Sequence, residues 1–123
     1  MKIKTRKVGN IVILDISGKI TTGNPTIILA KTFKELLAQD EKLFVFNMLK
    51  VPWLDSGGIG EVVACNKRVV DHDGVIRLAL KGRAHDLFTL NWLDKVFRIF
   101  GTIEEAMASF AGWRPRSRTS GKK

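Results

Sequence analysis

Leu43-Phe44-Val45-Phe46-Asn47-Met48-Leu49-Lys50-Val51-Pro52-Trp53-Leu54-Asp55-Ser56-Gly57-Gly58-Ile59-Gly60 sets the terms on which the rest of the chain is read. Leu43 to Met48 is a short, nearly continuous apolar run, the pattern of a strand covered on both faces. After Gly60, the residues Val62, Val63, Cys65, Val69 and Val70 continue Ile59 at helical spacing, and Asp71-His72-Asp73-Gly74 ends that helix. Asp55 to Gly60 therefore joins a buried strand to an amphipathic helix. A helix start presents unpaired backbone N–H groups and the positive end of the dipole. Glycines there permit close approach of another chain or a phosphate. Asp55 and Ser56 at that point can cap the helix, or the hydroxyl can be a phosphorylation site. The glycines do not form a P-loop, which ends in Gly-Lys-Ser/Thr, nor the dinucleotide fingerprint, because the third glycine is misplaced.

Outward from this segment, strands and helices alternate. Lys2 to Ser17 reads as two strands, with Gly9-Asn10 as the turn and Ile11-Val12-Ile13-Leu14 as a β-branched run. Pro25 fits a first helical turn, and Leu29, Ala30, Phe33, Leu36 and Leu37 give one apolar face of a helix ending near Gln39. Val75 to Leu80 reads as a strand with Arg77 pointing outward. Ala84 to Leu93 reads as a short helix, Val96 to Phe100 as a last strand, and Thr102 to Phe110 as a last helix opened by a Thr102/Glu105 capping box. The expectation is an α/β single domain: a mixed sheet of about five strands, part of it parallel, with about four helices packed against it.

Charge divides the chain of 123 residues. The net charge is +9, yet residues 1–112 hold 16 cations against 12 acids, or +4. The other five cations (Arg114, Arg116, Arg118, Lys122, Lys123) fall within residues 113–123, which hold no acid. The expected organisation is a folded domain over 1–112 and a flexible basic tail over 113–123. The tail is read as a solvated end, or as a salt-sensitive contact with nucleic acid or an anionic surface. One cysteine allows no internal disulfide, and with two histidines it falls short of a zinc set. No apolar run approaches a membrane span, and Met1 to Lys7 is no apolar signal segment, so a reduced, cytoplasmic protein is expected.

At Val51 to Gly60 the chain resembles the STAS domains, specifically the bacterial anti-sigma factor antagonists. Their signature is an apolar strand, then Asp-Ser-Ser/Thr-Gly-Leu/Ile-Gly, then a helix. The resemblance runs in element order over about residues 2 to 111, including Gly18 after the second strand and Gly74. It implies a non-enzymatic signal-transduction protein that regulates transcription through protein–protein interaction. In such proteins the serine after the aspartate is phosphorylated by an anti-sigma factor that is also a serine kinase. The unphosphorylated form binds that kinase and frees the sigma factor, and a phosphatase resets the system. Carried across, Ser56 is the phosphoacceptor and Asp55 holds the loop. Gly57, Gly58 and Gly60 keep the approach open, and Ile59 anchors the helix in the core. Glu61, Lys19 and Thr21 complete the implied partner-binding set, with no cofactor, no metal and no membrane.

The chain departs from that pattern at three places. Gly57 stands where the family often has a second hydroxyl, Lys19-Ile20-Thr21 where it often has Glu-Leu/Ile-Asp, and Trp92 where many members place glycine before a leucine, here Leu93.

Other residues admit plainer roles. His72 and His85 suit surface or capping positions, Cys65 a small buried hydrophobe, and Trp53 and Trp92 either core packing or partner contact. Glu61 suits the first-turn dipole or a partner. No Ser-His-Asp arrangement, paired carboxylates or metal set can be assembled from the spacing. Two further readings stand beside the switch: a STAS scaffold that is never phosphorylated, and a nucleic-acid-binding protein acting through the basic tail.

Overall fold

The computed structural model describes residues 1–115. Arg116 to Lys123, and with them most of the basic tail, lie outside the described residues.

The first two strands, β1 (Lys2–Val8) and β2 (Ile11–Ser17), form an antiparallel hairpin. Gly9 turns it at a φ of 62°, a backbone region that favours glycine. Then follow α1 (Asn24–Ala38), β3 (Leu43–Lys50), α2 (Ser56–Asp71), β4 (Val75–Ala79), α3 (Gly82–Leu90), a 3₁₀ turn (Leu93–Lys95), β5 (Arg98–Phe100) and α4 (Ile103–Ala108). The sheet order is β1-β2-β3-β4-β5, and every pairing after the hairpin is parallel.

The apolar run of β3 is explained by its two faces. Phe44, Phe46 and Met48 join the main core with Leu14, Ile76 and Leu78, where the apolar sides of α1 and α2 supply Phe33, Leu37, Val62, Cys65 and Val69. Phe33 packs edge-on against Phe44 and Phe46, with ring centroids at 4.8 and 5.3 Å. Leu43 and Val45 turn to the other face, where Ala106 and Phe110 close a smaller cluster with Ile13. Trp113 packs against that second cluster. Among the described residues, α4 and the segment after it thus cover only part of this face; Asp15 and Asn47, next along the same face, stay half-buried.

The structure corrects the sequence at the C-terminal half. Helix α3 ends at Leu90 rather than Leu93, because Trp92 adopts a left-handed φ of 61° that no helix continues through. The last strand keeps only Arg98–Phe100; Val96 is exposed and Phe97 turns into the core. The last helix is Ile103–Ala108, and Thr102 caps it by accepting the Glu105 N–H at 3.1 Å. Arg77 does not face solvent. It is buried beneath the α4 end of the chain, where its Nε donates to Ser109 Oγ at 2.9 Å and its guanidinium lies 5.1 Å from the Phe110 ring centre.

Candidate functional site

Two loops meet at the C-terminal ends of β2 and β3. The β2–α1 loop and the β3–α2 loop are joined as a short parallel bridge between Ile20 and Leu54. Ile20 N–H donates to the Trp53 carbonyl at 3.1 Å, and Asp55 N–H donates to the Ile20 carbonyl at 3.3 Å. The pairing continues the parallel sheet by one step and brings Thr22 against the start of α2.

Asp55 is the N-cap of α2, and its carboxylate accepts the Gly58 N–H at 2.8 Å. The same carboxylate accepts the Thr22 N–H through both oxygens, at 2.9 and 3.1 Å, and lies 3.4 Å from the Thr22 hydroxyl. Hydrogen bonds from the backbone of Thr22 and then of Gly58 hold the Asp55 carboxyl below its ordinary range, against a small opposing effect of burial. Gly57 and Gly58 are the residues that let the loops close. A Cβ at Gly58 would run into the Ile20 carbonyl, and one at Gly57 into the Thr22 hydroxyl. Gly58 is buried, so it serves the contact between the two loops, whereas a Cβ at Gly60 would meet nothing.

Ser56 is the first residue of α2 and is exposed. Its hydroxyl makes no hydrogen bond among the described residues. Beside it a groove of about 460 Å³ runs between the start of α2 and α3, lined by Trp53, Leu54, Ile59, Gly60, Leu87 and Asn91 with Asp55 and Ser56. Leu90 and Trp92, on either side of Asn91, are 75% and 73% exposed. Arg83 lies over the Trp53 ring, 5.1 Å from its centre.

The remaining expected site residues are spread around this centre. Ile59 packs partly against the main core. Lys19 is exposed and Thr21 half-buried in the β2–α1 loop, but Thr22, not Thr21, bonds to Asp55. Glu61 is not in the first turn, since α2 already begins at Ser56. Two turns along the helix, the Arg68 guanidinium donates to Glu61 Oε2 at 2.6 Å. Three contributors escaped the sequence. Thr22 could have been suspected from Gly57 and Gly58, which announce a close neighbour without naming it. Leu87 sits on α3 and Asn91 just past its end, and neither left a local signal.

No group of three or more metal-ligating side chains occurs among the described residues. The Cys65 thiol is fully buried, and burial, reinforced by Glu61, pushes it up to about 12. No helix among the described residues is long and apolar enough to cross a membrane.

The STAS domain family model matches residues 2–106. The chain belongs to the STAS domain family. Solved structures similar to this STAS domain include a Thermotoga maritima protein assigned as an anti-sigma factor antagonist. It is 24% identical, with a TM-score of 0.80, over 87% of this chain and 92% of that one. An anti-sigma factor antagonist from Mycobacterium paratuberculosis is 20% identical, with a TM-score of 0.77, over 88% and 92%. The Bacillus cell fate determinant SpoIIAA in its phosphorylated form is 16% identical, with a TM-score of 0.68, over 88% and 98%. At these identities the likeness speaks for the fold that this STAS domain shares with them.

Proposed function

We propose that this STAS domain is an anti-sigma factor antagonist. In its unphosphorylated form it binds an anti-sigma factor that is also a serine kinase, and phosphorylation of Ser56 switches it off; a phosphatase restores it. Sigma-factor-dependent transcription follows the balance of the two forms. The observation that carries the reading is the exposed Ser56 hydroxyl, without a hydrogen bond among the described residues, at the first position of α2 on the rim of an apolar groove.

That placement suits a switch for two physical reasons. The capping work is done by Asp55, so the serine oxygen can be modified without removing a bond that holds the helix. A phosphoryl group also adds about −1.5 to −2 charge. At a helix start the dipole tolerates it, so the effect falls on the surface rather than on the fold. The groove walls, Trp53, Ile59 and Leu87, with the exposed Leu90 and Trp92 nearby, offer the partner apolar anchors of the kind that dominate interfaces. A doubly charged group at their edge must lose water before a partner can close over it, which opposes docking.

The test is a pull-down from lysate of the source cells with wild-type, Ser56→Ala and Ser56→Asp proteins as baits, read by mass spectrometry. A kinase-like protein retained by the wild type and Ser56→Ala and lost by Ser56→Asp is expected. Equal retention by all three overturns the switch and leaves a scaffold.

A further inference from the structure

The part of the sheet that α4 leaves open carries a second, oppositely natured surface. In the hairpin register Lys2 faces Ser17, Lys4 faces Asp15 and Arg6 faces Ile13, so these three β1 side chains project to the face that holds Ile13 and Val45. Ala106 and Phe110 cover Ile13 and Val45. Past their edge, Lys2, Lys4, Arg6, Asp15, Asn47 and Lys50 line a trough of about 430 Å³. Asp15 is the one acid of that lining among the described residues, and it is already engaged. It accepts Arg6 Nε at 2.7 Å and Asn47 Nδ2 at 2.7 Å. Partial burial works against its carboxylate, but those bonds and the charges of Arg6 and Lys50 outweigh it and hold the group below its ordinary range. Lys2, Lys4 and Lys50 are left with no ion-pair partner among the described residues.

The same strand is a sheet edge: β1 pairs with β2 on one side and with no described strand on the other. Alternate residues of a strand stand roughly 6.8 Å apart on one face. A strand laid along β1 would put its own alternate side chains directly across from Lys2 and Lys4, the geometry in which opposite charges attract. No aromatic side chain lines the trough for a base to stack on. We propose that this trough and the free edge of β1 bind an extended acidic segment of a partner protein, added as a sixth strand with alternate carboxylates across from Lys2 and Lys4. The surface lies on the opposite side of the sheet from α2 and does not depend on the Ser56 reading.

The probe is a fluorescein-labelled peptide of five Glu-Thr repeats, titrated against the full chain at low salt. A peptide of five Glu-Pro repeats, equal in charge but unable to donate to a strand ladder, a ten-nucleotide oligothymidylate and phosphatidylserine-containing vesicles serve as competitors. The variant is Lys2→Glu/Lys4→Glu, with Lys4→Gln alone as the milder substitute if the double variant melts early. The basic tail is intact in every arm, so a difference between wild type and variant reports the trough. Expected are binding of the Glu-Thr peptide, about tenfold weakening in the double variant, poorer binding of the Glu-Pro peptide, and slowed hydrogen exchange at the β1 amides that point away from β2. Ser56→Asp should bind the peptide like the wild type. Equal binding of both peptides, equal binding by wild type and variant, or stronger binding of the oligonucleotide or vesicles overturns the proposal. Absence of any binding does so too, and leaves the lysines as guards against edge-to-edge pairing.

Discussion

Asp55 and Thr22, 33 residues apart in the chain, are held together by both oxygens of the Asp55 carboxylate on one backbone N–H. The cap of α2 is therefore also the clasp of the β2–α1 loop. Asp55→Ala should lower Tm by several degrees and loosen residues 19–22, seen as faster amide exchange at Thr22 and Gly58; unchanged exchange at Thr22 would mean the clasp is idle. The pH dependence has a definite sign. Because the folded carboxyl lies below its ordinary value, its contribution is complete above the unfolded pKa of about 3.9 and is lost as pH falls through the folded value. The stability gap between wild type and Asp55→Asn should thus be constant from pH 5 to 7, to use round values about one unit clear of that titration, and shrink at lower pH.

The three glycines of the motif should separate cleanly in stability. Gly58→Ala sets a methyl against the Ile20 carbonyl, which is backbone and fixed by the Ile20–Leu54 bridge. A loss of about 1–3 kcal/mol is expected in denaturant melts. Gly57→Ala meets a side-chain hydroxyl that can rotate away, so its cost should be smaller. Gly60→Ala meets nothing and removes a glycine from a helix interior, and should stabilise by up to about 1 kcal/mol. The order 58, 57, 60 in decreasing cost is the checkable statement, and a neutral Gly58→Ala would contradict the packed loop.

Loss of partner binding by Ser56→Asp must be distinguished from loss of fold. The substituted carboxylate sits at the first position of α2, where a negative charge meets the positive end of the dipole, although Asp55 is its neighbour. The two effects oppose each other, and Tm should stay within a few degrees of wild type with an unchanged circular dichroism spectrum. A Ser56→Asp protein that is unfolded at working temperature would remove the argument that the switch acts at the surface.

Most of the architecture was legible because its signals are local. Period and composition marked the hairpin, the double-faced β3 and the apolar side of α2, and the parallel sheet follows from their alternation. Arg77 shows where this stops. Alternation along β4 correctly set it opposite Ile76 and Leu78, but nothing in Val75–Ala79 says that the α4 end of the chain, more than twenty residues later, covers that face. The candidate site divides in the same way: the place of Asp55 and Ser56 at a helix start was readable, Thr22 was announced only indirectly by Gly57 and Gly58, and Leu87 and Asn91 arrive by tertiary packing alone.

Arg77 itself makes a prediction. Burial, and then the nearby Arg98 charge, disfavour its charged form, and no carboxylate among the described residues pairs with it; Ser109 and the Phe110 ring are its contacts. Ser109→Ala should cost about 1 kcal/mol by leaving Nε without its acceptor. Once Arg77 is replaced by Met, the same Ser109→Ala change should cost measurably less, because the serine then has no guanidinium to serve. A double-mutant cycle in urea reads the difference, and additive losses would show that the bond contributes nothing.

Cys65 tests the packing of α2 from inside. The thiolate is the reactive form, and a thiol near 12 is ionised at pH 8 to only about one part in ten thousand. Fully buried between the sheet and the helix, it should react with a disulfide reagent only as the protein opens. Its rate at pH 8 should therefore follow stability across the variants above: faster in Gly58→Ala, slower in Gly60→Ala. A rapid reaction in the wild type, unchanged by Gly58→Ala, would place Cys65 at the surface and undo the assignment of the α2 core face.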